Sequence, residues 1–138
     1  MSKAFTREDD AGLEPIRESA TAAAPQTRMG RARLVELLAA ARRAGDAAHV
    51  ADLEVRLAGG IVAIRDDASV ASLGAEVTLR DARGRKRVVR LVTPREVGLV
   101  PHGASPTSPI GAAVAGARVG DTIDLASGEA IVVAIAWP

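Results

Sequence analysis

The stretch Ser108-Pro109-Ile110-Gly111-Ala112-Ala113-Val114-Ala115-Gly116-Ala117-Arg118-Val119-Gly120-Asp121 sets how the second half of the chain is read. Ser108 stands where a hydroxyl can accept an orphan amide of a first helical turn. Pro109 follows at the first helical position, where its fixed φ suits a helix and its missing N–H costs nothing. The spacing predicts a short helix over Ile110–Ala115, closed by Gly116. Gly120-Asp121 predicts a turn, with Asp121 capping it or leading into the next strand.

Strand patterns flank this helix. Ala75–Arg80 sets Val77 and Leu79 against Glu76, Thr78 and Arg80, the alternation of a half-buried strand. Asp81-Ala82-Arg83-Gly84 reads as a hairpin turn, with Gly84 fitted to positive φ. Arg85–Thr93 pairs back and stops at Pro94. Gly98–Pro101 and Ile61-Val62-Ala63-Ile64 are further short strand candidates. Thr122–Leu125 and Ala130–Ala136 form a last hairpin around Ser127-Gly128. The fold class expected is α+β, with an antiparallel sheet and one short helix.

The first half is different. Leu34, Leu37, Leu38 and Ala41 fall at i, i+3, i+4 and i+7, one apolar stripe of a helix. Thr27 is its candidate N-cap. Gly45-Asp46 breaks the run, Val50, Leu53 and Leu57 resume it, and Gly59-Gly60 ends it. Two helices of about 12–14 residues make an αα-hairpin whose arms span about 20 Å each. Residues 1–27 carry Glu8, Asp9, Asp10, Glu14 and Glu18 against Lys3, Arg7 and Arg17, show no sustained periodicity and read as a disordered tail.

Composition narrows the function. The chain has 138 residues, 48% hydrophobic, with one Phe and one Trp, Phe5 and Trp137, and no Tyr. A stacking platform for single strands or an aromatic-lined ligand pocket cannot be built from that. The net charge of +1 is not that of a polybasic nucleic-acid protein. Without cysteine there is no disulfide or thiolate chemistry, which suits a reducing compartment. No signal core opens the chain and no run of eighteen apolar residues occurs, so a cytoplasmic protein is expected, with no membrane association.

Residues 108–121, with Gly74-Ala75-x-Val77-Thr78-Leu79 upstream, resemble the C-terminal domain of the bacterial Gre transcription elongation factor family, GreA and GreB. Leu91-Val92-Thr93-Pro94 is closer to the related Rnk regulators. Thr27-x-x-Gly30-x-x-x-Leu34-x-Glu36-Leu37 resembles the start of the Gre coiled coil, Met1–Asp10 is similar to the leader of some GreB proteins, and Ala39–Asp46 resembles the Gly-Asp tip of the long hairpin. After the tail over 1–27, the resemblance implies an abridged coiled-coil hairpin over 28–60 and an FKBP-like polymerase-binding domain over 61–138. It implies RNA polymerase core as partner and no cofactor. Ser108, Pro109, Ile110, Gly111, Gly120 and Asp121 match the block that implies polymerase binding.

In the family the hairpin enters the polymerase secondary channel and presents an Asp and a Glu, three residues apart, which help hold a second metal and its water for cleavage of backtracked RNA. Here Asp46 matches the Asp, and His49 stands in place of the Glu. Imidazole is a poor ligand for Mg²⁺, whose preferred donors are carboxylate oxygens. Asp52, six residues on, is no obvious substitute. The arms are also short. The expectation is a polymerase-binding regulator of elongation at the secondary channel, not an enzyme, with no catalytic residue and no metal site of its own. The alternatives are a working cleavage factor and a polymerase-independent interaction module.

Each residue also has a plainer reading. Asp46 serves equally as a turn residue after Gly45. His49 reads as a solvated helix residue. His102, between Pro101 and Gly103, has no partner that spacing identifies for a metal site or a triad. Asp66-Asp67 reads as a loop. Arg80, Arg83, Arg85, Lys86, Arg87, Arg90 and Arg95 are opposed by Asp81 and Glu96; they either guard a sheet edge against aggregation or make an electrostatic contact with an acidic protein or nucleic acid. Trp137 either plugs the aliphatic core or lies exposed as a contact. Prolyl isomerase activity, an obvious rival in an FKBP-like fold, lacks its ring-lined pocket. A monomer is expected; a pairing of the short hairpin with a second copy is the alternative, since helices of this length are marginal alone.

Overall fold

The computed structural model describes residues 24–61 and 67–138. They divide into two units: a helical one that includes Leu34–Gly60, and a sheet unit of Gln26–Arg33 with Ile61–Pro138. The first helix crosses that division.

Two helices make the hairpin, α1 (Arg28–Ala44) and α2 (Ala47–Leu57). Leu34, Leu38, Ala41 and Leu53 are buried, as the apolar stripes require. Gly45, at φ +71°, takes the left-handed conformation that reverses the chain. Arg42 pairs with Glu54 at 3.0 Å across the hairpin, an exposed contact of little energetic weight. The arms are unequal where equal ones are expected. At 1.5 Å per residue, α1 runs for about 25 Å and α2 for about 17 Å. Thr27 is the reason α1 starts early: its Oγ1 accepts the Gly30 amide at 3.0 Å, and its carbonyl accepts the Arg31 amide.

The sheet unit carries β1 (Glu76–Asp81), β2 (Lys86–Leu91), β3 (Gly103–Ala104), β4 (Thr122–Leu125) and β5 (Gly128–Ala136), in the order β3-β2-β1-β5-β4. Every pairing is antiparallel except the short β2–β3 one, which is parallel. The short helix α3 (Pro109–Val114) lies between β3 and β4 in the chain. Val77, Leu79, Val89, Leu91, Ile123, Ala130 and Val132 form one face of the sheet, and Val114 and Ala117 join them in the core. The architecture is the expected α+β one. Hairpin turns stand at 81–84, with Gly84 at φ +80°, and at 126–128.

Three expectations are corrected. Gly98–Pro101 is a turn, because the amides of Leu99 and Val100 both bond back to the Glu96 carbonyl and continue a 3₁₀ turn over Pro94–Glu96. The strand there is instead Gly103–Ala104. The strand expected over Arg85–Thr93 is shorter, Lys86–Leu91. The expected tail does not extend to residue 27: Gln26 bridges Ile61, and Gln26 and Thr27 are buried. Residues 1–23, which include Phe5, lie outside the described residues, as do Val62–Ile64 of the expected strand and Asp66.

Glu96 joins these pieces. It is 3% exposed, yet its carboxylate is fully engaged. Oε2 accepts the Thr27 amide at 3.0 Å, and the Thr27 hydroxyl reaches both oxygens at 3.2 Å. Oε1 accepts the Thr93 amide and hydroxyl, each at 3.0 Å. A Cβ on Gly30 would stand 1.5 Å from Oε2. Glu96→Ala would strand several buried donors at about 1–3 kcal/mol each. Gly30→Ala would force the carboxylate aside at about 1–3 kcal/mol. Urea unfolding followed by Trp137 emission should register both losses.

Trp137 is half-buried against the core edge, and its Nε1 donates to the Ala68 carbonyl at 2.9 Å. It is therefore neither a full plug nor a free contact. The loop it holds is held again by Arg118, which reaches Ser69 Oγ at 2.8 Å and Asp67 Oδ2 at 3.1 Å. The Ser69 hydroxyl and amide, then Arg118, keep the Asp67 carboxyl below the ordinary range. A carboxylate with a lowered folded pKa stabilises above its unfolded pKa and loses that contribution as pH falls through the folded value. Trp137 emission should therefore register an acid transition centred below the ordinary Asp value. Asp67→Asn should abolish that acid transition.

Candidate functional site

The residues of the 108–121 block divide by role. Ser108 caps α3 as expected: its Oγ accepts the Gly111 amide at 3.1 Å and donates to the Ser105 carbonyl at 2.7 Å. Gly111 is buried, and a Cβ there would lie 1.8 Å from that same carbonyl oxygen. Gly120 donates to the Val132 carbonyl at 2.8 Å. Asp121 accepts the Arg118 amide on Oδ2 at 2.9 Å, and its carbonyl accepts the Val132 amide. Those four residues shape the segment.

Pro109 faces outward, whereas Ile110 packs against the edge of the core. Pro109 is exposed and Ile110 half-buried. With Arg87, Asp124, Leu125, Ala126 and Ser127 they line a cavity of about 290 Å³. Its floor is apolar, from Pro109, Ile110 and Leu125, and its rim carries one cation and one anion. The end of β4 supplies Asp124 and Leu125, and the turn after it Ala126 and Ser127. Nothing local in that segment marks it as part of a site, because it gains that place only where β4 meets α3. Val119, 60% exposed, is a further apolar side chain in the block.

The hairpin tip offers less. Asp46 is the N-cap of α2, and its Oδ1 accepts the His49 amide at 3.1 Å. The one matching carboxylate is thus engaged in a helix cap, and both Asp46 and His49 are exposed. One carboxylate with one imidazole is a donor set that does not suit Mg²⁺. Among the described residues no group of three or more His, Asp or Glu could hold a metal ion. His102 sits in an exposed turn at φ +59°.

The basic residues also divide. Arg90 is partly buried, paired with Glu76 at 2.8 Å and bonded to the Pro101 carbonyl at 2.9 Å. Glu96 does not oppose the cluster, because its carboxylate points into the buried Thr27–Thr93 arrangement. Sequence spacing contains that signal: Thr93-Pro94-Arg95-Glu96 has the Thr-x-x-Glu form of a capping box.

Ser108→Ala should cost about 1 kcal/mol, the usual loss of an N-cap. Ile110→Ser, on the cavity floor, should change stability by less than a core truncation does, about 2–5 kcal/mol. Paired urea melts test this difference between scaffold and surface.

A family model described as "Transcription elongation factor, GreA/GreB, C-term" matches residues 66–135. Among solved structures, the GreA factor homolog 1 (Gfh1) protein of Thermus thermophilus is 26% identical, with 82% of this chain and 98% of that one covered, at a TM-score of 0.44. Gfh1 of Thermus aquaticus is 28% identical, covering 81% and 97%, at a TM-score of 0.44. GreA/GreB from Nitrosomonas europaea is 22% identical, covering 83% and 99%, at a TM-score of 0.46. No curated protein matches the chain. Among the described residues, no helix is long and apolar enough to cross a membrane.

Proposed function

The chain belongs to the GreA/GreB family of transcription elongation factors, and on that footing we propose that it binds RNA polymerase core and regulates elongation at the secondary channel without cleaving RNA. The observation that carries the reading is the reach of the family match, which spans the whole 108–121 block. Pro109 and Ile110, which line the cavity, are the residues that dock; Ser108, Gly111, Gly120 and Asp121 hold them in place. An apolar floor with a charged rim suits a partner side chain that is apolar at its tip and flanked by polar groups.

The tip supports the non-cleaving half of the proposal. Asp46 is tied into the α2 cap and His49 replaces the second carboxylate. The short arms, about 25 Å and 17 Å, point the same way. A factor of this build occupies the channel entrance and competes with cleavage factors. The protein acts as a monomer in the cytoplasm.

The test is co-purification with core polymerase, followed by addition to a backtracked elongation complex. Binding is expected, and Ile110→Asp should weaken it at least tenfold while Asp46→Asn leaves it unchanged. The transcript should stay uncut, and cleavage stimulated by GreB should fall as the protein is titrated in. Absence of binding would reject the docking assignment. Transcript shortening that Asp46→Asn abolishes would make the protein a working cleavage factor.

A further inference from the structure

The free end of the β1–β2 hairpin extends away from the surface just assigned, and of its cations only Arg87 also lines the cavity. Between Arg80 and Arg87 the chain carries Arg80, Arg83, Arg85, Lys86 and Arg87 against the single acid Asp81. Asp81 is consumed inside the turn. Its Oδ1 accepts the amides of Arg83 and Arg85 at 2.9 Å, and its Oδ2 pairs with Arg85 Nε at 3.1 Å. Arg85 is thus largely offset. Among the described residues no acid pairs with Arg80, Arg83, Lys86 or Arg87, and all four are exposed.

Their placement surrounds the hairpin end with charge. Arg80 and Lys86 are register partners and share one face of the ribbon. Arg87 is the partner of Leu79 and belongs to the opposite face, and Arg83 stands in the turn. Edge protection accounts for part of this. β3 covers β2 only at Arg90 and Leu91, so Lys86 and Arg87 guard an open stretch. It does not account for Arg80, which pairs on both sides with Lys86 and Ile131, or for Arg83.

The hairpin end also lacks the apolar centre that protein interfaces bury. Its only small apolar residue is Ala82. A line of phosphates needs no such centre, and guanidinium forks match phosphate oxygens. Duplexes carry the denser charge, about one per 1.7 Å of axis. Single strands are better held by aromatic stacking, which this chain cannot supply. We propose that the β1–β2 hairpin end binds the phosphodiester backbone of double-stranded nucleic acid without sequence preference.

The test is fluorescence anisotropy of the full chain with labelled DNA and RNA duplexes of two unrelated sequences, across roughly 50 to 200 mM salt. With four cations engaged, log Kd should rise with log salt at a slope of about 3 to 4, and affinity should fall about 100-fold over that range. The two sequences should bind alike, and the DNA and RNA arms identify the duplex preferred. Arg83→Gln should lower the slope by about 1; Arg43→Gln, which removes the same charge from the end of α1, should leave it unchanged. Far-UV circular dichroism checks that both variants fold. Failure to bind either duplex at the lowest salt would overturn the proposal. So would a slope unaltered in Arg83→Gln, or equal affinity for a polyglutamate peptide. Polymerase binding is scored separately, so either surface can fail without the other.

Discussion

A buried carboxylate is tolerated only when its oxygens are satisfied, and Glu96 satisfies its own with two threonines 66 residues apart in the chain. Thr27 belongs to the start of α1, and Thr93 to the end of the β2 segment. Both offer an amide and a hydroxyl to the same group. The negative charge also lies beside the first turn of α1, where free amides and the helix dipole favour an anion. Gly30 has no side chain because the carboxylate occupies the space. One side chain thus fixes where α1 begins, how the turn after β2 closes, and which residue can stand one turn into the helix.

The 108–121 block shows how a family signature can be mostly architecture. Ser108 and Gly111 converge on the carbonyl of Ser105: one donates a hydrogen bond to it, and the other makes room for it. Gly120 and Asp121 direct the chain into β4 and bond to Val132 on β5. Substituting these residues disturbs the fold before it disturbs any contact. Pro109, exposed, and Ile110, packed on the core edge, border the cavity beside them.

At the hairpin tip the same residue has a cap duty and a family correspondence. Asp46 closes the first turn of α2 through the His49 amide, a use of Gly-Asp that needs no partner protein. With an imidazole at position 49, the tip has the local stability of a capped helix but not the hard donor pair that Mg²⁺ prefers. The β1–β2 turn makes a parallel case: Asp81 is spent on its own turn and on Arg85, and leaves Arg80, Arg83, Lys86 and Arg87 without an acid partner among the described residues.

Local chemistry was enough for the helices, the caps at Thr27 and Ser108, the turns at Gly45 and Gly84, and the strand alternation of Val77 and Leu79. Each depends on residues within a few positions of one another, so spacing alone carries the information. The family correspondence was legible for the same reason, since its motif is contiguous. Two features were decided at long range, and a third by a local turn that side-chain spacing does not show. Glu96 reads as a surface acid among arginines until Thr27 is brought to it across 69 positions. The cavity exists only because folding sets Arg87 of β2 beside Pro109 and Ile110 of α3 and the end of β4. Gly98–Pro101 has the look of a strand, but its amides find the Glu96 carbonyl first and close a turn. For Glu96 and for the cavity, the partner of a polar group or the wall of a pocket comes from a distant part of the chain, and only folding supplies it; the 98–101 turn is closed by a neighbouring carbonyl that side-chain alternation does not register.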